Sequence, residues 1–278
     1  MKLVLLGVRG STPAPGAEFV RYGGHTSSVA VIPDGASDPT LVLDAGTGLR
    51  HLSTQLEGRP FIGSIVLTHL HWDHMQGVPF FAAGDRDDSD IDMYVPAQGG
   101  LTGHDLLAKS MSVPSFPIEP GELRGSWRFH AMEAGDHDIE EFQIRVCDVA
   151  HKGGRTFGLR VQDAHGSIAY LPDHVPAHGV SAEALELLAG VDVLFHDAQF
   201  IESERRLAEA YGHSTIDDAC ALAARAGVGS LVLIHHSPVR SDEAMDKIAV
   251  RYESEGPIPV RVGHEGDVIN VPGNGDAH

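Results

Sequence analysis

The segment Thr68-His69-Leu70-His71-Trp72-Asp73-His74 constrains this chain more than any other feature. It follows the apolar run Ser64 to Leu67, which reads as a short buried strand. Along an extended segment alternate side chains share a face, so His69 and His71 can grip one ion together. Asp73 and His74 lie past the strand end, where a turn can aim them at a second ion. Imidazole and carboxylate donors without thiolate suit Zn, Mn or Fe. Four residues cannot close two sites, so a fold that carries this segment must bring further ligands to the same rim.

Candidates stand where other expected strands end. His151 follows Phe142 to Val149, Asp173 follows Ile168-Ala169-Tyr170-Leu171-Pro172, and His235 follows Leu231 to Ile234, with His236 as the competing neighbour. Any one of them alone reads as an ordinary polar residue. Three strand ends that each present a ligand-type side chain fit a single rim above the sheets.

The rest of the chain supplies the frame. Further strands are expected at Leu3 to Val8, Ser28 to Ile32, Leu41 to Leu43, Trp127 to Met132, Thr156 to Val161, Ser167 to Leu171 and Val191 to Phe195. Helices are expected at Leu101 to Met111, Ala182 to Leu188, Glu202 to Ala210, Ile216 to Ala226 and Glu243 to Tyr252. Ser214 or Thr215 can cap the fourth of these, and Gly227 stops it. The acidic stretch Gly84 to Asp92 reads as a solvated loop. Strands come in runs with helices between and after them, and no low-complexity linker divides the chain. The expected class is α+β: one domain over residues 1–278, two sheets with helices outside, an αββα sandwich. Residues 271–278 read as a loose tail.

Composition narrows the partners. The two cysteines, Cys147 and Cys220, cannot build a disulfide framework and read as core thiols. The apolar start Met1 to Leu6 stops at Gly7 and is better read as a first strand than as a signal segment. No apolar stretch approaches the roughly 20 residues that span a bilayer, so a soluble, cytoplasmic protein without a membrane partner is expected. Against 20 basic residues stand 39 acidic ones, a formal net charge of −19. Such a surface repels polyanions on average, so no long nucleic acid is expected as a partner. A small anionic substrate is compatible, because bound cations dominate the local field.

His69-Leu70-His71-Trp72-Asp73-His74 resembles the H-x-H-x-D-H signature of the metallo-β-lactamase superfamily, and His151, Asp173 and His235 follow in the order of its later motifs. The resemblance implies the αββα sandwich and a pair of divalent ions, zinc foremost, with Mn or Fe as alternatives. It assigns His69, His71 and His151 to the first ion, Asp73, His74 and His235 to the second, and Asp173 to both. Phe195-His196-Asp197-Ala198, Gly212-His213-Ser214-Thr215 and Leu233-Ile234-His235-His236-Ser237-Pro238 look like motifs of the ribonuclease Z-like phosphodiesterase branch.

What that branch implies is hydrolysis of a small cyclic-nucleotide-like or nucleotide phosphodiester, with a homodimer as the default assembly. Two adjacent cations make hydroxide available from water near neutral pH, and Asp73 and Asp173 would hold it in line. His213 would contact the scissile phosphate or protonate the leaving oxygen, with Asp197 fixing its tautomer. The arm that ribonuclease Z uses to grip RNA has no counterpart in a basic Gly/Pro-rich insertion. Carboxylic ester, lactone or thioester hydrolysis is the alternative on the same site. A non-catalytic binding protein is a third reading, weakened by the seven filled ligand positions.

Substrate contacts are expected from Lys152 and Arg155, which flank Gly153-Gly154, and from Arg9 and Arg21 on N-terminal loops. His25 joins them, because it stands where related hydrolases of the branch have Asn after two glycines. Asp44 reads as a buried acceptor behind the ligands, and Gly46 and Gly48 as tight-turn residues.

Overall fold

Strand β1 (Lys2–Gly7) alternates: Leu3 and Leu5 enter one apolar cluster, Val4 and Leu6 another. A strand that buries both faces must lie between two apolar layers. That is its position in the computed structural model, which describes residues 1–253 and 257–271.

The first sheet runs β14 (Val268–Asn270), β1, β2 (Ser28–Ile32), β3 (Leu41–Leu43), β4 (Ile62–Val66), β5 (Asp90–Pro96), β6 (Ser126–Met132). The second runs β13 (Val260–Val262), β12 (Ser230–Ile234), β11 (Val193–Asp197), β10 (Ser167–Leu171), β9 (Phe157–Gln162), β8 (Phe142–Asp148), β7 (Gly135–Ile139). From β14 to β3 the neighbours are antiparallel and from β3 to β6 parallel. The second sheet repeats this, antiparallel from β7 to β10 and parallel from β10 to β13.

Between the sheets lies a cluster that includes Leu3, Val29, Leu41, Phe142, Phe157, Tyr170 and Phe195. The outer face of the first sheet (Val4, Val42, Ile65) is covered by α1 (Arg50–Gln55) and α3 (Gly103–Ala108) through Leu52, Leu106 and Leu107. The outer face of the second (Ala169, Leu194, Leu231) is covered by α4 (Ala182–Leu188), α6 (Ile216–Ala226) and α7 (Asp242–Tyr252). The layers are helix, sheet, sheet, helix, as expected. Two short helices, α2 (Trp72–Met75) and α5 (Arg205–Tyr211), border the ligand-bearing rim.

Local chemistry explains several boundaries. The Thr215 hydroxyl accepts from the Asp218 amide at 3.2 Å to start α6, and Gly227 ends it in the left-handed region at φ 65°. The acidic stretch is only partly a loop, because β5 begins at Asp90 inside it. Asp90 and Asp92 point outward and pair with Arg128 of the neighbouring β6 at 2.6 and 2.5 Å. Helix α3 is shorter than the expected Leu101 to Met111, and the expected helix from Glu202 opens as a single 3₁₀ turn before α5. Strands β5, β7, β13 and β14 lie outside the expected set: β5 and β7 carry charged residues that mask their pattern, and β13 and β14 are only three residues each. Val271, placed in the tail by sequence, is buried against the core, and residues 272–278 lie outside the described residues.

Phe142 fills the space between the sheets at 2 % exposure, away from the ligand rim. Phe142→Ala is expected to lower unfolding free energy by about 3–5 kcal/mol through lost transfer energy plus a cavity. Urea denaturation checks this, and a loss under about 1 kcal/mol would show that the layer can collapse into the gap.

Candidate metal centre

The ligand-type side chains converge because β4 of the first sheet and β8, β10 and β12 of the second end at one rim. β4 delivers Thr68 and His69; the following turn and α2 place His71, Asp73 and His74. His151 follows β8, Asp173 follows β10, and His235 follows β12.

Asp173 stands at the middle. Its Oδ2 lies 3.6 Å from His69 Nε2 and 3.3 Å from His151 Nε2, and His151 Nε2 is 3.2 Å from His71 Nδ1. Its Oδ1 lies 3.0 Å from His74 Nε2 and 3.1 Å from His235 Nε2. Asp73 Oδ2 completes that side, 3.2 Å from His235 Nε2 and 3.4 Å from His74 Nε2. The donors thus fall into two groups that share one carboxylate. Within His69, His71, His151 and Asp173, and within Asp73, His74 and His235, donor atoms lie inside 4.8 Å of one another.

The donor chemistry fits cations. His69 Nε2 is sealed from water and has no hydrogen-bond partner, a costly state that a bound cation resolves. Burial lowers the pKa of His69, His71 and His151 and so keeps their lone pairs free. Burial alone would raise the carboxyls of Asp73 and Asp173, but the histidines around them outweigh it and hold both well below the usual range. Burial likewise opposes protonation of His74, yet Asp173, Asp73 and Asp44 raise it well above the ordinary value. The cluster demands positive charge.

Outer contacts orient the ligands. Asp44 Oδ2 meets His74 Nδ1 at 2.8 Å, and Asp44 Oδ1 accepts from the Thr68 amide at 2.7 Å. Thr68 Oγ1 lies 3.1 Å from His69 Nδ1, and His151 Nδ1 lies 2.6 Å from the Gly212 carbonyl. The Ser11 amide donates to Asp73 Oδ2 at 2.6 Å. Asp44 and His235 both adopt left-handed backbone, φ 58° and 57°, a strain that recurs at functional positions. His236 turns away, its Nε2 2.9 Å from the Gly263 carbonyl and its pKa pushed down to about 3 by burial.

Beside the donors opens a cavity of about 410 Å³ lined by Ser11, His71, His151, Lys152, Gln199 and His213 among others. His213 Nδ1 lies 2.9 Å from Asp197 Oδ2, and that carboxylate also accepts from the amides of His174 and Ser214, each at 3.2 Å. Burial works against His213 protonation, but Asp197, then Asp173 and Asp73, raise its pKa to about 9.

The expected substrate contacts divide. Lys152 lines the cavity, its Nζ donating to the Ala210 carbonyl at 2.9 Å. Arg155 is committed to Asp148, Glu133 and the Ala97 carbonyl, and lies on the far side of His71. Arg9 is not a substrate contact. Its guanidinium is wholly buried and clamps the carbonyls of Gly23, Ser237 and Arg240 at 2.6, 3.1 and 2.8 Å. Arg21 pairs with Asp246 on the surface. His25 faces His51 and Glu265 rather than the cavity. Sequence reasoning missed the Ser11 amide, the Gly212 carbonyl, and Phe200 and Tyr211 in the cavity wall. Only the glycine beside His213 offered a local signal.

Fold and site together define a metal-dependent hydrolase. A model of the beta-lactamase superfamily domain matches residues 40–236, and the chain belongs to this superfamily, in its ribonuclease Z-like branch. It is 30% identical over 243 residues to a ribonuclease Z of Lacticaseibacillus casei (strain BL23), covering 70% of this chain and 74% of that protein. The fold matches human tRNase Z, short form, with TM-score 0.69 and 22% identity over 98% of this chain and 100% of that one. A diphosphatase of the PhnP family matches with TM-score 0.69 and 19% identity, over 97% of each chain.

These relatives correct the expectation that excluded long nucleic acids. A ribonuclease Z at 30% identity overturns it. Net charge sums the whole surface, whereas a strand entering a cavity meets the local field of the site. Among the described residues no helix is long and apolar enough to cross a membrane.

Asp44 orients His74 and carries no cavity contact. Asp44→Ala is expected to weaken divalent-metal affinity by about 10–100-fold. A competition titration with a chromophoric chelator measures this, and unchanged affinity would remove Asp44 from the account.

Proposed function

We propose that this chain hydrolyses phosphodiesters of nucleotide size at a dinuclear centre, with zinc as the foremost metal and Mn or Fe as alternatives. The carrying observation is the placement of Asp173, whose two oxygens face two separate donor groups. His69, His71 and His151 would hold one ion and Asp73, His74 and His235 the other, with Asp173 shared. Two such ions supply a nucleophile from water near neutral pH and offset charge on the phosphoryl oxygens.

The chain's own residues do the rest. His213 reaches the cavity while its Nδ1 is occupied by Asp197, which leaves Nε2 for the substrate. A proton kept on Nε2 at neutral pH suits contact with a phosphate oxygen and delivery to the leaving oxygen. Lys152 adds positive charge at the cavity wall. The Ser11 amide holds Asp73 Oδ2 at 2.6 Å, and Ser11 itself lines the cavity, so the segment that orients this carboxylate also borders the substrate space. A cavity of about 410 Å³ takes a phosphate with its adjoining nucleoside, whether that group belongs to a small cyclic molecule or to the end of an RNA.

Hydrolysis of bis(p-nitrophenyl) phosphate by the metal-analysed protein tests this reading. His213→Ala is expected to lower kcat by about 10²–10⁴-fold with metal content unchanged, and Asp73→Ala to lose an ion and the activity together. Absence of turnover with both ions bound would sink it and direct the search to esters and lactones. A cyclic mononucleotide compared with a tRNA transcript then distinguishes the substrate classes.

The pH profile gives a second test. A raised pKa keeps His213 protonated through neutrality, so activity that needs this proton is retained below that pKa and lost above it. Asp197→Asn removes the charge that raises it. The alkaline limb of kcat is expected to move to lower pH, and a limb that stays put would show that another group titrates.

A further inference from the structure

Three ligand-type side chains meet outside the cavity, from stretches far apart in sequence. His25 precedes β2, His51 belongs to α1, and Glu265 sits in the turn between β13 and β14. Each offers a donor atom within 4.8 Å of the others, and all three are partly buried. The two imidazole rings meet edge-on, with centroids 4.6 Å apart and planes at 81°.

The hydrogen bonds among them are incomplete. His25 Nδ1 is sealed from water and has no partner. His51 Nε2 lies 2.8 Å from Glu265 Oε1 but is not aligned for an N–H···O bond. An ion pair between His51 and Glu265 accounts for that approach and leaves the His25 nitrogen unexplained. A buried unpaired nitrogen costs about 1–3 kcal/mol, so a ligand that engages it has a ready source of affinity. Burial, with His51 and Arg50 nearby, lowers the pKa of His25 despite Glu265, and so keeps an imidazole lone pair available. Glu265 is already fixed: its carboxylate accepts the His25 amide at 3.0 Å, and its own amide donates to the Tyr22 carbonyl at 2.9 Å.

We propose that His25, His51 and Glu265 form a further divalent-metal site, distinct from the centre around Asp173, that takes Zn²⁺ with water completing the coordination. Two imidazoles and one carboxylate are a three-ligand zinc set, whose remaining position water would take. The consequence is structural. The His25 carbonyl accepts the amides of Val8 and Arg9 at 3.0 and 2.9 Å. Two residues on, the Ser11 amide holds Asp73. An ion at this site pins the segment that carries Ser11 from its outer side and ties it to α1 and to the β13–β14 turn.

Equilibrium dialysis of the full chain against Zn²⁺, followed by elemental analysis, tests the site. The unsubstituted protein is expected to hold about one zinc more than His51→Ala or His25→Asn. Asp173→Ala is expected to keep that extra ion while it loses those of the main centre. Thermal unfolding adds a readout independent of turnover: excess Zn²⁺ is expected to raise Tm in the parent and in Asp173→Ala more than in the His51 and His25 variants. His51 is 39% exposed, so His51→Ala leaves the core untouched. Equal zinc content in parent and both variants would overturn the site, as would an extra ion that survives both substitutions. Neither result depends on phosphodiester turnover, so failure here and failure of the hydrolase reading are separable.

Discussion

A buried carboxylate shared between two groups of imidazoles is the constraint around which this structure is arranged. Asp173 is 1% exposed, and an isolated charge in that position costs several kcal/mol. The charge is tolerable because His69 and His151 stand at one oxygen and His74 and His235 at the other. Those histidines are themselves fixed by groups a layer further out: Asp44 behind His74, Thr68 behind His69, and the Gly212 carbonyl behind His151. Removing one outer contact is therefore expected to act on cation affinity before it acts on the fold.

The sandwich makes this convergence possible through the similarity of its two sheets. Each has an antiparallel part and a parallel part, and the parallel strands β3 and β4 of one and β10 to β12 of the other carry Asp44, His69, Asp173, Asp197 and His235 at or just past their ends. Parallel strands point their carboxyl ends the same way, so ligands placed after a strand gather without long excursions. The cost is local. Asp44 and His235 both leave their strands in left-handed backbone, a conformation that non-glycine residues hold only when surroundings dictate it. At Asp44 the dictating contacts are the Thr68 amide and His74; at His235 they are the neighbouring ligands and the turn of His236 toward Gly263.

Sequence reasoning read this architecture well where chemistry and periodicity coincide. His69, Asp173 and His235 each follow a short apolar run and His151 follows the alternating strand that starts at Phe142, so the strand pattern and the ligand type mark the same position. The Thr215 cap and Gly227 stop bound α6 in the sequence as in the structure. It read poorly where partners are remote. Arg9 looks like a surface base, and nothing near it shows that it is enclosed by carbonyls up to 231 residues away. Asp90 and Asp92 looked like part of a solvated acidic run, because outward carboxylates on an edge-side strand resemble loop charges until Arg128 is placed opposite. His25 was noticed as an unusual residue, but its companions His51 and Glu265 lie 26 and 240 positions on, beyond any local pattern.

The failed exclusion of nucleic acid has the same origin. A formal charge of −19 describes 278 residues at once, whereas a phosphate arriving at the rim is sensitive to charges within about a Debye length, some 8–10 Å. Within that range the carboxylates Asp44, Asp73, Asp173 and Asp197 are already engaged by imidazoles and amides, and their field is the reason cations are drawn there. The same acid-rich site that looks repulsive in a residue count becomes attractive to an anion once divalent ions and a protonated His213 are in place. On the proposed reading, acidity at the rim and affinity for phosphate would be consecutive steps of one electrostatic design, the carboxylates recruiting cations and the cations recruiting the substrate.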